Sequence, residues 1–99
     1  MSHPLGSLAD NLTAYAIYAT AQSEMRRAYS LIDAGQYGAA AVEIESAARA
    51  AETLANFSSS AATERVGHWR RVATARRQFA ERARAHAAQQ VTRPHLVAA

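Results

Sequence analysis

The sequence contains no cysteine, no lysine and no long run of apolar residues, and these absences exclude several classes of protein. Without cysteine the chain can form no disulfide, no thiolate nucleophile and no cysteine-bound metal site. No stretch reaches the roughly 18 apolar residues that span a bilayer, and no basic-then-apolar leader opens the chain. We therefore expect a cytoplasmic protein that makes no membrane contact.

Motifs that support catalysis are also missing. The four glycines fit neither a phosphate-binding nor a dinucleotide-binding pattern. His68 and His86 fall on one face of a predicted helix, but about 27 Å of helix axis separates them, so one ion cannot join them within a chain. We predict a protein that is not an enzyme, with no catalytic residue, cofactor or metal.

Large apolar residues are scarce as well. The hydrophobic fraction is 49%, but alanine supplies most of it and contributes little burial per residue. Ninety-nine residues fit one domain with a thin core. A second copy could cover the remaining apolar surface, so we expect a homo-oligomer, with a dimer favoured.

Apolar periodicity predicts three helices, at residues 7–33, 36–56 and 61–92. Ser7 and Asp10 match a capping box at the start of the first helix. Residues 57–60, with three consecutive serines, are interpreted as the turn before the third helix, and Pro94 ends that helix. The fold class expected is an all-α antiparallel three-helix bundle with long first and third helices.

Ordered structure is expected over residues 7–92, between a flexible leader at 1–6 and a loose tail at 93–99. The tyrosines are interpreted as the edge of the core, with Tyr18 the one most available to a partner. The apolar face predicted for the first helix consists of Leu8, Leu12, Tyr15, Ala19, Met25, Tyr29 and Ile32. The face predicted for the second helix consists of Tyr37, Ala40, Ala41, Ile44, Ala47, Ala48, Ala51 and Leu54. The face predicted for the third helix consists of Val66, Trp69, Val72, Ala73, Phe79, Ala80, Ala83 and Ala87.

Gly35 marks the turn between the first two helices. The pattern that follows is Gly35-x-Tyr37-x-x-Ala40-Ala41-x-x-Ile44-x-x-Ala47. It resembles the second half of a tetratricopeptide repeat and is compatible with small three-helix domains of the microtubule-interacting-and-transport type. The resemblance implies a helix pair and hints at peptide binding. No second copy follows about 34 residues later, which excludes a repeat array.

Charge is divided unevenly along the chain. Residues 1–57 carry three arginines against six acids, net −3, whereas residues 58–99 carry eight arginines against two acids, net +6. Arg70, Arg77 and Arg84 recur every seven residues, so we expect them to form a ridge beside the apolar face of the third helix. Arg71 and Arg82 occupy another flank.

Three interpretations of this ridge remain open. Its arginines pair with Glu45 and Glu52, which share the seven-residue step, or they bind nucleic acid, or they dock an acidic protein partner. We predict a non-enzymatic, self-associating interaction or adaptor module, and the alternative is a small basic nucleic-acid-binding or regulatory protein. The residues predicted to contact a partner or nucleic acid are Arg70, Arg71, Arg77, Arg82, Arg84 and Tyr18.

Overall fold

The computed structural model describes residues 3–92, and every regular element in this range is helical. The tail predicted at 93–99 lies outside these residues. Three long helices, α1 to α3, are accompanied by short 3-10 helices at Gly6–Asp10 and Thr63–Arg65. The long helices are α1 (Leu12–Asp33), α2 (Tyr37–Ala61) and α3 (Val66–Thr92).

Side-chain contacts show that neighbouring helices run in opposite directions. The Ser46 hydroxyl donates a hydrogen bond to the Glu24 carboxylate, and Arg27 forms an ion pair with Glu43 at 2.9 Å. Moving three residues forward along α1 therefore moves the partner three residues back along α2. The ion pairs Glu52–Arg77 and Glu45–Arg84 show the same for the other two helices, since moving seven residues back along α2 moves the partner seven residues forward along α3. The predicted all-α antiparallel three-helix bundle is confirmed.

The start of α1 differs from the prediction. The Asn11 side chain caps the helix by accepting the Ala14 N–H at 3.0 Å, so the capping box at Ser7 and Asp10 is wrong. The Ser7 hydroxyl instead donates to the Ala61 carbonyl at 2.9 Å and ties the N-terminal 3-10 helix to the end of α2. Leu5, within the segment expected to be a flexible leader, is completely buried.

The face by which the first helix packs on the bundle was predicted correctly only in part, since Leu8 and Met25 of that face are buried but others are not. Ala14, Ala21 and Ala28 are at most 2% exposed, whereas Leu12 is 86% exposed and Tyr29 is 55% exposed. Alanines spaced by seven residues return to the same side of a helix after two turns. Their small side chains let α1 approach α2 closely, which turns the larger residues toward solvent.

The central helix follows its predicted pattern. Every residue of the predicted α2 face after Tyr37 is buried, and this face consists of Ala40, Ala41, Ile44, Ala47, Ala48, Ala51 and Leu54. The end of α2 was predicted too early, because the three serines continue the helix and Ser58 is completely buried. The connection to α3 is made by Ala62 and a 3-10 turn.

The turn between α1 and α2 is formed as predicted at Gly35. Its φ of 74° lies in the left-handed region that glycine adopts without strain. The amides of Gly35 and Gln36 donate back to the carbonyls of Ile32 and Leu31, which closes the end of α1. The Gln90 side chain donates to the Gly35 carbonyl at 2.9 Å and anchors α3 against this turn.

Candidate functional site

An open groove lies between α1 and α3. Both helices pack along α2, but their own backbones hardly approach each other, so α2 forms the middle of the bundle. The groove has a volume of about 470 Å³. Four residues of α1 and four of α3 line it: Gln22, Met25, Arg26 and Tyr29, and Val72, Ala75, Arg76 and Phe79.

The two walls of the groove carry the same sequence pattern. Residues 22, 25, 26 and 29 and residues 72, 75, 76 and 79 have identical spacing, which places each set on one face of its helix. In both sets the third residue is arginine and the fourth is aromatic. Since α1 and α3 both run antiparallel to α2, they run parallel to each other, and equivalent residues can stand level across the groove.

Aromatic pairs fix this alignment and bound the groove. Tyr29 stacks on Phe79 with ring centroids 6.0 Å apart, and Tyr18 meets Trp69 edge-on, also at 6.0 Å. Both pairs join residues about fifty positions apart in sequence, so the offset between the helices is constant. The lining residues on α1 run from Gln22 to Tyr29, which corresponds to roughly 10 Å along the helix. The groove therefore has the length of about two helical turns.

Charge in the groove lining is of one sign. Arg26 and Arg76 stand at the same level by the offset just described, and no carboxylate is among the lining residues. Arg76 is half-buried, and its Nη1 donates to the Ala47 carbonyl at 2.9 Å. Burial lowers the pKa of Arg76, and Tyr29 and Glu24 partly oppose this effect. A guanidinium nevertheless stays protonated in proteins, so the groove holds a partly desolvated positive charge.

The predicted arginine ridge lies on the opposite flank of α3, against α2. Arg84 forms an ion pair with Glu45 at 2.9 Å, and Arg77 forms one with Glu52. These are the partners that the seven-residue step predicted. Arg70 is exposed and makes no ion pair with another described residue. The structural interpretation of the ridge therefore holds for two of its three arginines.

The remaining predicted site residues are Arg71, Arg82 and Tyr18. Arg71 and Arg82 are exposed on α3, and neither forms an ion pair within residues 3–92. Tyr18 is less available than predicted, because it packs against Trp69 and its hydroxyl accepts from the Gln22 side chain at 3.3 Å. Tyr29 is more exposed and belongs to the groove.

Sequence reasoning did not single out Arg26 or Arg76, and it assigned Met25, Tyr29 and Phe79 to the core. The signal that identifies the groove is the repeated pattern with arginine and an aromatic at equivalent positions of α1 and α3. Recognising it requires knowing that these two faces lie side by side. That is a property of the assembled bundle.

Comparisons with protein-family models, with curated proteins and with solved structures find no match to this chain. The resemblance of residues 31–47 to a tetratricopeptide-repeat hairpin therefore stays a prediction. Within residues 3–92, no helix combines the length and apolar character needed to cross a membrane. The same residues contain no cluster of three or more side chains placed to hold a metal ion.

Proposed function

We propose that this protein is a non-enzymatic interaction module that binds a helical segment of another protein in the groove between α1 and α3. The observation that carries the proposal is the open, largely apolar groove bounded by the Tyr18–Trp69 and Tyr29–Phe79 pairs. Helix-binding grooves in other proteins are hydrophobic channels that receive apolar residues at positions i, i+3, i+4 and i+7. A helix laid here would pack against α1 and α3 as a fourth member of the bundle.

Self-association was expected from the thin core, and it is a separate part of the proposal. Two copies meeting groove to groove would bring Arg26 and Arg76 of each chain against those of the other, which like-charge repulsion opposes. A dimer would therefore use another surface and leave the groove open. Analytical ultracentrifugation at about 10 and 100 μM tests this, because a dimer's weight-average mass rises with concentration.

A selection experiment tests groove binding directly. The purified protein is used to select from a display library of peptides of about 16 residues, with helical apolar periodicity and randomised polar positions. Synthetic copies of the selected peptides are then titrated against the protein by fluorescence anisotropy. Binding by peptides with an i, i+3, i+4, i+7 apolar face is expected. Failure to select any binder that survives as a synthetic peptide would contradict the proposal.

A matched pair of variants locates the binding site. Ala75→Trp fills the groove, whereas Ala85→Trp adds the same bulk to an exposed residue outside the groove lining. The two alanines are about 80° apart around α3, and Ala85 is exposed beyond the edge of the groove lining. We expect Ala75→Trp to weaken peptide binding at least about tenfold and Ala85→Trp to leave it unchanged. Equal effects of the two changes would place binding elsewhere.

The alternative function is nucleic-acid binding, and one observation favours it. Arg70, Arg71 and Arg82 are exposed on α3 and form no ion pair within the described part of the chain. Anisotropy of labelled duplex DNA and single-stranded RNA at about 50 and 200 mM salt, beside the triple alanine variant, tests it. Binding that falls by orders of magnitude at higher salt and is lost in the variant would support this alternative. No binding at low salt would remove it.

A further inference from the structure

We infer that the ligand of the α1–α3 groove is an acidic amphipathic helix that brings a carboxylate to Arg76 and Arg26. This inference rests on the proposed function and specifies the chemistry of the partner. It depends on three features of the groove: the burial of Arg76, the level of Arg26, and the absence of any carboxylate from the lining.

Arg76 is half-buried, and most of its N–H donors have no protein acceptor in the described part of the chain. Arg76 lines the groove beside Met25, Val72 and Phe79, and within residues 3–92 its guanidinium makes a single hydrogen bond, to the Ala47 carbonyl. Its other N–H groups have no protein partner among residues 3–92. A cation that has lost part of its hydration gains most from an anion with matching donor geometry, and a carboxylate can accept two N–H bonds from one guanidinium.

Arg26 lines the groove on the wall formed by α1, across from Arg76. Because the offset between α1 and α3 is constant, Arg26 stands on the opposite wall at the level of Arg76. In the described part of the chain, its only hydrogen bond is to the Ser23 hydroxyl one turn back on its own helix. A single carboxylate entering at this level meets two cations. Apolar residues of the ligand on either side of it would rest against Val72 at one end of the groove and against Tyr29 and Phe79 at the other.

The positions of the arginines and of the apolar lining residues along the groove predict a sequence pattern for the bound helix. The arginines lie three residues from the Tyr29–Phe79 level and four residues from the Gln22–Val72 level. A helix lying along the groove matches them with an acidic residue flanked on the same face by apolar residues three or four positions away on each side. A nucleic-acid strand fits less well, because its evenly spaced phosphates require a row of cations and the groove offers them at one level only.

The experiment compares three synthetic peptides that differ at one residue. Each is an alanine-based helix of about 16 residues with leucines on one face and Glu, Gln or Lys at the central position of that face. We expect the Glu peptide to bind at least about tenfold more tightly than the Gln peptide, and the Lys peptide to bind most weakly. The Arg76→Gln variant should lose the preference for Glu over Gln.

Two controls isolate the charge effect. Arg70→Gln removes the same charge from an exposed arginine outside the groove and should leave the preference for Glu intact. Arg26→Gln changes an exposed side chain and should reduce the preference, which keeps the inference testable if Arg76→Gln does not fold. Circular dichroism melts establish folding for every variant.

The outcomes separate this inference from the function on which it rests. If the Glu and Gln peptides bind with equal affinity and Ala75→Trp blocks both, the inference is overturned but the proposed helix binding stands. A preference for Glu that persists in both Arg76→Gln and Arg26→Gln would place the anion elsewhere and overturn it as well. If neither these peptides nor any selected peptide binds at about 100 μM, the proposed function itself fails. If single-stranded RNA displaces the Glu peptide at about 150 mM salt, and Arg76→Gln abolishes RNA binding, the ligand of the groove is nucleic acid and the inference of an acidic helix is overturned.

Discussion

Replacing Ala21 by leucine should destabilise the bundle, although it adds an apolar residue to an apolar helix. Ala21 is 2% exposed and belongs to the buried cluster formed by α1, α2 and α3. Extra carbons in such a close contact force side chains from their preferred rotamers or push α1 away from α2, at a cost of about 1–3 kcal/mol. Leu12→Ala is the matched opposite change on the same helix.

The expected cost of Leu12→Ala is small. A fully buried leucine contributes about 2 kcal/mol, and Leu12 is 86% exposed, so truncation should remove about 0.3 kcal/mol of burial. Alanine's higher helix propensity offsets part of that loss. Urea denaturation followed at 222 nm measures both changes. The Ala21→Leu midpoint should fall by on the order of 1 M, with the Leu12→Ala midpoint nearly unchanged.

The reverse result would refute this reasoning. If Leu12→Ala costs more than about 1 kcal/mol while Ala21→Leu is neutral, α1 packs through its leucine and tyrosine face. The measurement is repeated at about 5 and 50 μM protein, since a dimer that covers Leu12 would make its effect depend on concentration. A cost for Leu12→Ala at the higher concentration alone would identify an interface between copies and keep the assignment of the α1–α2 contact.

Two further predictions concern single buried or charged groups. Ser58→Ala should stabilise the protein by about 1 kcal/mol, because the buried Ser58 hydroxyl has no hydrogen-bond partner among residues 3–92. The midpoint of a thermal melt should rise by about 5 °C, with the exposed Ser59→Ala change giving a clearly smaller rise. Burial, followed by the charges of Arg65 and Arg71, lowers the pKa of His68 below 6.5. The unfolded chain therefore binds a proton at His68 more readily than the folded chain does. As a result, the folded state is fully stable with respect to His68 above about pH 6.5 and loses stability as the pH falls below that value. His68→Gln should reduce the fall in the urea midpoint between pH 7.5 and 5.5, and an unchanged fall would contradict the assignment of this pH dependence to His68.

Sequence reasoning succeeded where burial is wide and unambiguous. The face of α2 was predicted correctly because this helix is covered by α1 on one side and α3 on the other, which requires a broad apolar stripe. Gly35 marked the first turn because few residues other than glycine adopt its positive φ. The Glu45–Arg84 and Glu52–Arg77 pairs agree with the one of the three interpretations of the ridge that pairs its arginines with glutamates at the same seven-residue step.

The failures have a common cause in alanine. A pattern search gives most weight to large apolar residues, and three of those on α1, Leu12, Tyr15 and Tyr29, are exposed. Alanine is compatible with both core and surface, so the Ala14, Ala21 and Ala28 seam carries little signal in the sequence. The end of α2 was predicted too early for a related reason. Serine is common in turns, but the serines after Phe57 continue the helix, and Ser58 is buried there.

Three helices, their order and the buried face of the central helix could be predicted from the sequence, because each depends on local propensity or on spacing within a helix. The groove exists only in the assembled bundle. How far α1 and α3 stand apart on α2 depends on the sizes of all the side chains between them, and this separation makes Arg26 and Arg76 neighbours across a cleft. A half-buried arginine facing an apolar channel is therefore a consequence of three helices packing together, which no single stretch of the sequence specifies.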